Sequence, residues 1–264
     1  MWWLGTAVMI TIAVMVFVVA AKTDVIDLAH LSPSIILPFV GTATDAVIGA
    51  LVVAYSYDVS ARLAIPVIIV SYLLVGVGFW VAMMIYAAYF AKVITHGLPP
   101  AAQTPSLILL VGPCGQSAAA LLFLGHAAMT HFGSYDRGTV LQMTPGMTFA
   151  TVGVMISLTF LGLGVFLILF GLYIIIETAF KREHQYFLLW WSTIFPLATF
   201  NTAFIALAKD LDSPTFRVLS TIFLLALLVN YFINWAFTIR DIYLGRLLNG
   251  SRSNNPAANR VKEQ

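Results

Sequence analysis

Apolar residues run along this chain in long blocks rather than in short alternations, and the blocks are bounded by Pro, Gly or charge. Uncharged stretches extend from Met1 to Ala21, Leu63 to Ala91, Val93 to Tyr135, Thr139 to Ile176, Gln185 to Ala208 and Val218 to Ile239. Another, around Ile35 to Tyr57, is interrupted only by Asp45. A hydrocarbon core about 30 Å thick is crossed by roughly 20 helical residues, so each block is long enough to span it. The pattern predicts seven helices at 2–20, 34–57, 64–91, 104–126, 148–176, 187–208 and 217–239. The connections between them carry turn signals: Gly97, Pro99 and Pro100 before the fourth helix, Pro145 and Gly146 before the fifth, Asp212, Ser213 and Pro214 before the seventh. Residues 1–248 therefore read as one all-α polytopic membrane domain. Residues 249–264, polar and rich in Asn, Ser and Arg, read as a disordered tail.

Composition sharpens this picture. Apolar residues make up 61% of the chain and charged residues 9%, whereas an ordinary soluble domain carries about 25% charged residues. So few charges cannot cover a water-soluble globule. The first block starts at Met1 without a basic region or a small-residue cleavage site, so it reads as a helix and not as a signal peptide. Lys22, Lys92, Lys181, Arg182 and the tail cations Arg240, Arg246, Arg252, Arg260 and Lys262 fall on one side. Arg62, Arg137, Lys209 and Arg217 fall on the other. Cytoplasmic loops carry the excess of Lys and Arg, which puts the C-terminus and tail in the cytoplasm and Met1 outside. The expected location is the plasma membrane. No polybasic run points to nucleic acid, and the single cysteine, Cys114, excludes an intrachain disulfide or a cysteine metal cluster. His126 and His131 read as loop residues without an acidic companion at ligand spacing. No nucleophile elbow, phosphate loop or dinucleotide fingerprint is present, so neither an enzyme nor a cofactor or metal site is expected.

Three places could carry chemistry. Gly112, Pro113 and Gly115, followed by Gln116 and Ser117, fall inside the fourth span. Proline there is expected to break the helix and free amides that could hold an anion at membrane depth. The alternative is a kink that lets neighbouring helices approach at glycine. In the sixth span Pro196 is expected to kink the helix beside Phe195, with Thr199 and Asn201 following. A ring at such a place can occlude a narrow path or simply pack. With no Lys or Arg in a predicted span core, an anion would be met by dipoles from Gly112, Gly115, Gln116, Ser117, Thr199 and Asn201. Asp45, the one carboxylate deep in a span, suits proton uptake and release, or else is a carboxylic acid kept neutral, or one that faces a wet cavity and is hydrogen-bonded to Thr42 or Thr44.

These motifs resemble one family, the tellurite-resistance and dicarboxylate transporters, which includes fungal malate permeases, fungal sulfite efflux pumps and plant slow anion channels. Leu110-Val111-Gly112-Pro113-Cys114-Gly115-Gln116-Ser117 is similar to the Val-Gly-Pro-Pro-Gly-Gln stretch of the malate-type members, with Cys114 in place of a proline. Trp190-Trp191 followed by Phe195-Pro196 resembles the family's Trp-Trp and Phe-Pro signature. Phe216-Arg217-Val218-Leu219 with Thr221-Ile222-Phe223 looks like its last helix, and Ile36-Leu37-Pro38-Phe39-Val40 like the opening of its fifth. The resemblance implies a ten-helix fold whose odd-numbered helices line a pore, a phenylalanine gate at Phe195 and a homotrimer in the bilayer. The seven helices would correspond to the family's fourth to tenth. The implied substrate is a small anion, malate or another C4-dicarboxylate, with sulfite as the alternative. A truncated product without transport activity of its own is a further reading. So is a seven-helix receptor, although the last span lacks the lysine of retinal proteins.

Overall fold

The computed structural model describes residues 1–23, 28–56, 59–135, 137–142, 145–181 and 186–245. The tail at 249–264 and the boundary at 248 lie outside the described residues. Among the described residues seven helices are long and apolar enough to cross a membrane, and there is no strand. They are α1 (Trp2–Thr23), α2 (Leu37–Tyr55), α3 (Ala61–His96), α4 (Val111–His131), α5 (Pro145–Phe180), α6 (Ile194–Asp210) and α7 (Pro214–Tyr243). This is an integral membrane protein built as an all-α bundle. Both α3 and α5 have 36 residues, about 54 Å at 1.5 Å per residue. They overrun the expected 64–91 and 148–176 because hydropathy marks only the part that fits the lipid, not the helix that continues into water.

Helix α4 is the centre of the bundle. Every residue from Thr104 to Leu122 is buried, and α4 packs against α2, α3, α5 and α6. Helix α1 packs on α2, and α7 on α6. The result is an inner row of α2, α4 and α6 flanked by the other four. Small residues let the inner and outer helices approach closely. Along α5, a Cβ at Gly146 would lie 2.7 Å from the Ala128 carbonyl oxygen, at Gly153 2.9 Å from that of Leu121, and at Gly171 2.9 Å from the Ile108 side chain. Between them Ser157 donates to the Ala118 carbonyl at 3.0 Å. Numbers rise on α5 as they fall on α4, so the two run antiparallel. Helix α7 docks differently, through rings: Phe200, Phe204, Phe216 and Phe223 stack or meet edge-on with centroids 4.9 to 5.6 Å apart.

Each inner helix opens the same way. A 3-10 segment precedes it, at Pro33–Ile36 for α2, Ala101–Leu110 for α4 and Leu188–Thr193 for α6. The lead-in of α4 packs against the other two. The α-helix then begins with proline at its second or third residue: Pro38, Pro113 and Pro196. In the first turn a missing amide hydrogen costs least. This corrects the expected break at residues 112–117: the backbone is α-helical through Gly112, Pro113, Gly115, Gln116 and Ser117, and the irregularity lies upstream. Likewise Pro196 does not bend a regular helix in mid-course; it stands just after the change from 3-10 to α geometry.

Tyr86 on α3 supports that change of pitch. Its hydroxyl donates to the Leu110 carbonyl at 2.6 Å, the group for which Pro113 has no amide to offer three residues on. Leu110 is the N-cap of α4, so its carbonyl also accepts the first intrahelical bond; Tyr86→Phe is expected to remove its second donor and to cost about 0.5–1.5 kcal/mol. Thermal unfolding in detergent would measure it; an unchanged midpoint would show that the carbonyl does not need the hydroxyl.

Candidate anion path

Helices α4 and α6 run in the same direction. Gly115 approaches α6 near one end, where an added Cβ would lie 2.6 Å from the Phe200 nitrogen and 3.0 Å from the Thr199 carbonyl carbon. His126 bonds Asp210 at 2.7 Å near the other. Ser117 and Asn201, each just beyond the close approach, therefore lie at one depth on adjacent helices. Both are buried, and among the described residues neither Ser117 Oγ nor Asn201 Oδ1 has a hydrogen-bond partner. Gln116 and Thr199 are buried beside them, with Thr199 donating to the Pro196 carbonyl at 2.9 Å. Gly112 faces the other way, toward α2, where an added Cβ would meet the Val40 side chain at 3.1 Å. The two glycines thus serve the approach of α6 and of α2 respectively.

Phe195 is the second residue of α6 and its side chain is 46% exposed, whereas Pro196 next to it is buried. Asp45 is brought to α1 instead of α4. Thr6 donates to its Oδ2 at 2.6 Å, and Trp2 Nε1 donates to its backbone carbonyl at 2.9 Å. Thr42 and Thr44, the partners expected for it, donate to carbonyls of their own helix, Phe39 and Val40.

Three features escaped the reading of spacing. His126 and His131 are on α4 and not in a loop, and His126 has an acidic partner 84 residues away that no local pattern could reveal. Lys92 lies on α3 and is buried, because that helix continues to His96; its Nζ donates to the Leu31 carbonyl at 2.8 Å. On α7, Asn230, Asn234 and Thr238 form a polar ladder at intervals of four residues. Asn230 donates to Thr193 Oγ1 at 2.8 Å, Trp191 Nε1 donates to Thr238 at 2.9 Å, and Tyr186 bonds Thr238 at 2.7 Å. The i, i+4 spacing of these polar residues in an apolar span was the available signal. Trp191 therefore ties the α6 lead-in to α7. Among the described residues no group of three or more His, Cys, Asp or Glu could hold a metal ion.

The model of the voltage-dependent anion channel family, SLAC1, matches residues 1–239. The chain belongs to that family. The motif resemblance of residues 110–117 and 190–196 accords with this SLAC1 membership, since the fungal malate-type and sulfite-type transporters are among the relatives. Two of these are sulfite efflux pumps, from Arthroderma benhamiae and Trichophyton rubrum, each 30% identical over 240 residues, covering 90% of this chain and 61% of the relative. A third, a candidate malic acid transport protein of Schizosaccharomyces pombe, is 22% identical over 253 residues, covering 94% of this chain and 56% of the relative. The chain thus spans about six-tenths of the length of the curated relatives it matches. No solved structure matches it significantly. The family is one of channels and transporters rather than enzymes.

Proposed function

We propose that a small oxyanion passes along the inner row at the depth of Gln116, Ser117 and Asn201. The unpartnered Ser117 Oγ and Asn201 Oδ1 carry this reading. Buried polar atoms in a membrane bundle are costly unless something meets them; a transient oxyanion stripped of water accepts from the Ser117 hydroxyl, and a species that carries its own hydroxyl, such as hydrogensulfite or malate, donates it to Asn201 Oδ1. Such weak, distributed contacts suit passage, since an ion held by a fixed buried charge leaves slowly. Gly112, Pro113 and Gly115 then shape the path by letting α2 and α6 close on α4, and Thr199 orients its entrance. Asp45, bonded to α1, serves in this reading to fix α1 on α2 and not to carry protons.

Sulfite is the leading substrate, supported by the 30% identity to sulfite efflux pumps. Malate or another C4-dicarboxylate is the second, favoured by the Val111-Gly112-Pro113-Cys114-Gly115-Gln116 run. Efflux of labelled sulfite and of labelled malate from vesicles containing the purified chain would separate them. Faster sulfite release is the expected outcome, and malate release alone would reverse the order. In the same assay Phe195→Ala should raise basal flux several-fold, because removing a ring widens a constriction only where that ring stands in it. Unchanged flux at equal protein would return Phe195 to a lipid-facing or packing role. The surrounding proposals are a homotrimer in the plasma membrane, a transmembrane domain at 1–248 and a cytoplasmic tail at 249–264, the last supported by the distribution of Lys and Arg.

A further inference from the structure

Between α6 and α7, on the side where α6 ends and α7 begins, a cavity of about 420 Å³ is lined by Ile205, Ala208, Lys209, Arg217, Ser220 and Thr221. Two of its six lining residues are cations, and the carboxylates nearest to them in sequence are both engaged. Asp210 bonds His126 at 2.7 Å, and Asp212 pairs with Arg217. Among the described residues Lys209 has no ion-pair partner. The lining thus carries two cations and no carboxylate, and since Asp212 stands on the Arg217 guanidinium, the ammonium of Lys209 is its unpaired charge among the described residues. The first turn of the 30-residue helix α7, capped by no side chain at Ser213, adds its own partial positive charge. The hydroxyls of Ser220 and Thr221 both donate to the Arg217 carbonyl, at 2.9 and 2.8 Å. Recognition of a ligand in the cavity accordingly falls to the ammonium and the guanidinium, which suit an oxyanion by charge-assisted hydrogen bonds. Ile205, one turn further into the membrane than Lys209, makes the inner wall apolar.

We propose that this groove is a binding site for a phosphate-type oxyanion, held by Lys209 and Arg217. The site stands apart from the inner row and does not depend on the transport reading. A cationic rim above an apolar wall fits the phosphate of a membrane lipid as well as a free anion, so the test must separate the two sources. The thermal unfolding midpoint of the purified chain in detergent would be titrated with inorganic phosphate, with phosphatidylglycerol and with phosphatidylcholine. A rise with phosphate or phosphatidylglycerol is expected, with a half-saturating concentration about tenfold higher in Lys209→Gln and near the wild-type value in Lys209→Arg. Lys209 is exposed and outside the Arg217–Asp212 pair, so Lys209→Gln should fold with its ligand-free midpoint intact. A response to phosphate identifies a free-oxyanion site; a response to phosphatidylglycerol alone identifies a headgroup site. No response to either probe in the wild type, or the same half-saturating concentration in Lys209→Gln, would overturn the proposal.

Discussion

Gly115→Ala is expected to destabilise the bundle by about 3 kcal/mol, the upper part of the range for overpacking. The added Cβ would lie 2.6 Å from the Phe200 nitrogen and 2.7 Å from its Cα. Those are backbone atoms of a helix and cannot swing aside, so α4 and α6 would have to separate along their contact. Gly112→Ala is the internal control. Its Cβ meets only the Val40 side chain, at 3.1 Å, and a few tenths of an ångström of adjustment should hold the cost near 1 kcal/mol. Unfolding midpoints of the two variants in the same detergent would compare them. Equal losses would show that the α4–α6 contact yields more readily than the geometry implies. The comparison also separates two uses of glycine, since an alanine amide could still face an anion whereas an alanine methyl cannot occupy the Phe200 backbone.

The second large effect should run in opposite directions for stability and transport. Replacing Asn201 with Leu and Ser117 with Ala removes two buried polar atoms that have no partner among the described residues. Leaving such an atom unsatisfied costs about 1–3 kcal/mol, so the double variant should unfold at the wild-type temperature or above it. If those atoms meet the passing anion, the same variant should lose about tenfold or more of its sulfite flux, the equivalent of one charge-assisted hydrogen bond. Flux from vesicles and unfolding in detergent, made on one preparation, give both quantities. A less stable protein with normal flux would assign the pair to packing, and their polar atoms to structural water.

The number of spans was legible because uninterrupted apolar length is a direct consequence of the bilayer's thickness. Their ends were less so: α3 carries Lys92 and His96 in its last turns, and α5 carries Glu177, residues that mark the edge of the lipid but do not stop a helix. The 3-10 lead-ins left no trace in the pattern. In a stretch such as Thr104 to Leu122, buried on all sides, there is no polar face whose period could distinguish three residues per turn from 3.6. Proline at 113 and 196 was visible, but its place relative to the start of the α-helix was not, and that place decides whether it breaks a helix or opens one. Gln116, Ser117, Thr199 and Asn201 could be singled out as polar residues in apolar spans. That Asn201 shares a depth with Ser117 follows only from the parallel packing of α4 and α6. Asp45 was conspicuous for the same reason, yet its partner Thr6 belongs to another helix 39 residues earlier.

The ten-residue lead-in of α4 has a geometric consequence. At about 2.0 Å per residue, against 1.5 Å in an α-helix, Ala101–His131 reaches about 51 Å, close to the length of its 36-residue neighbours with fewer residues. Length and rotation are therefore coupled in this segment. One residue inserted or deleted between Ala101 and Leu110 would shift α4 by about 2 Å and turn it by about 120°, carrying Gly115 off the Phe200 backbone and Ser117 away from Asn201. The lead-in acts as a phase setter for the helix it precedes, and its length is bound to the angular position of every side chain on α4.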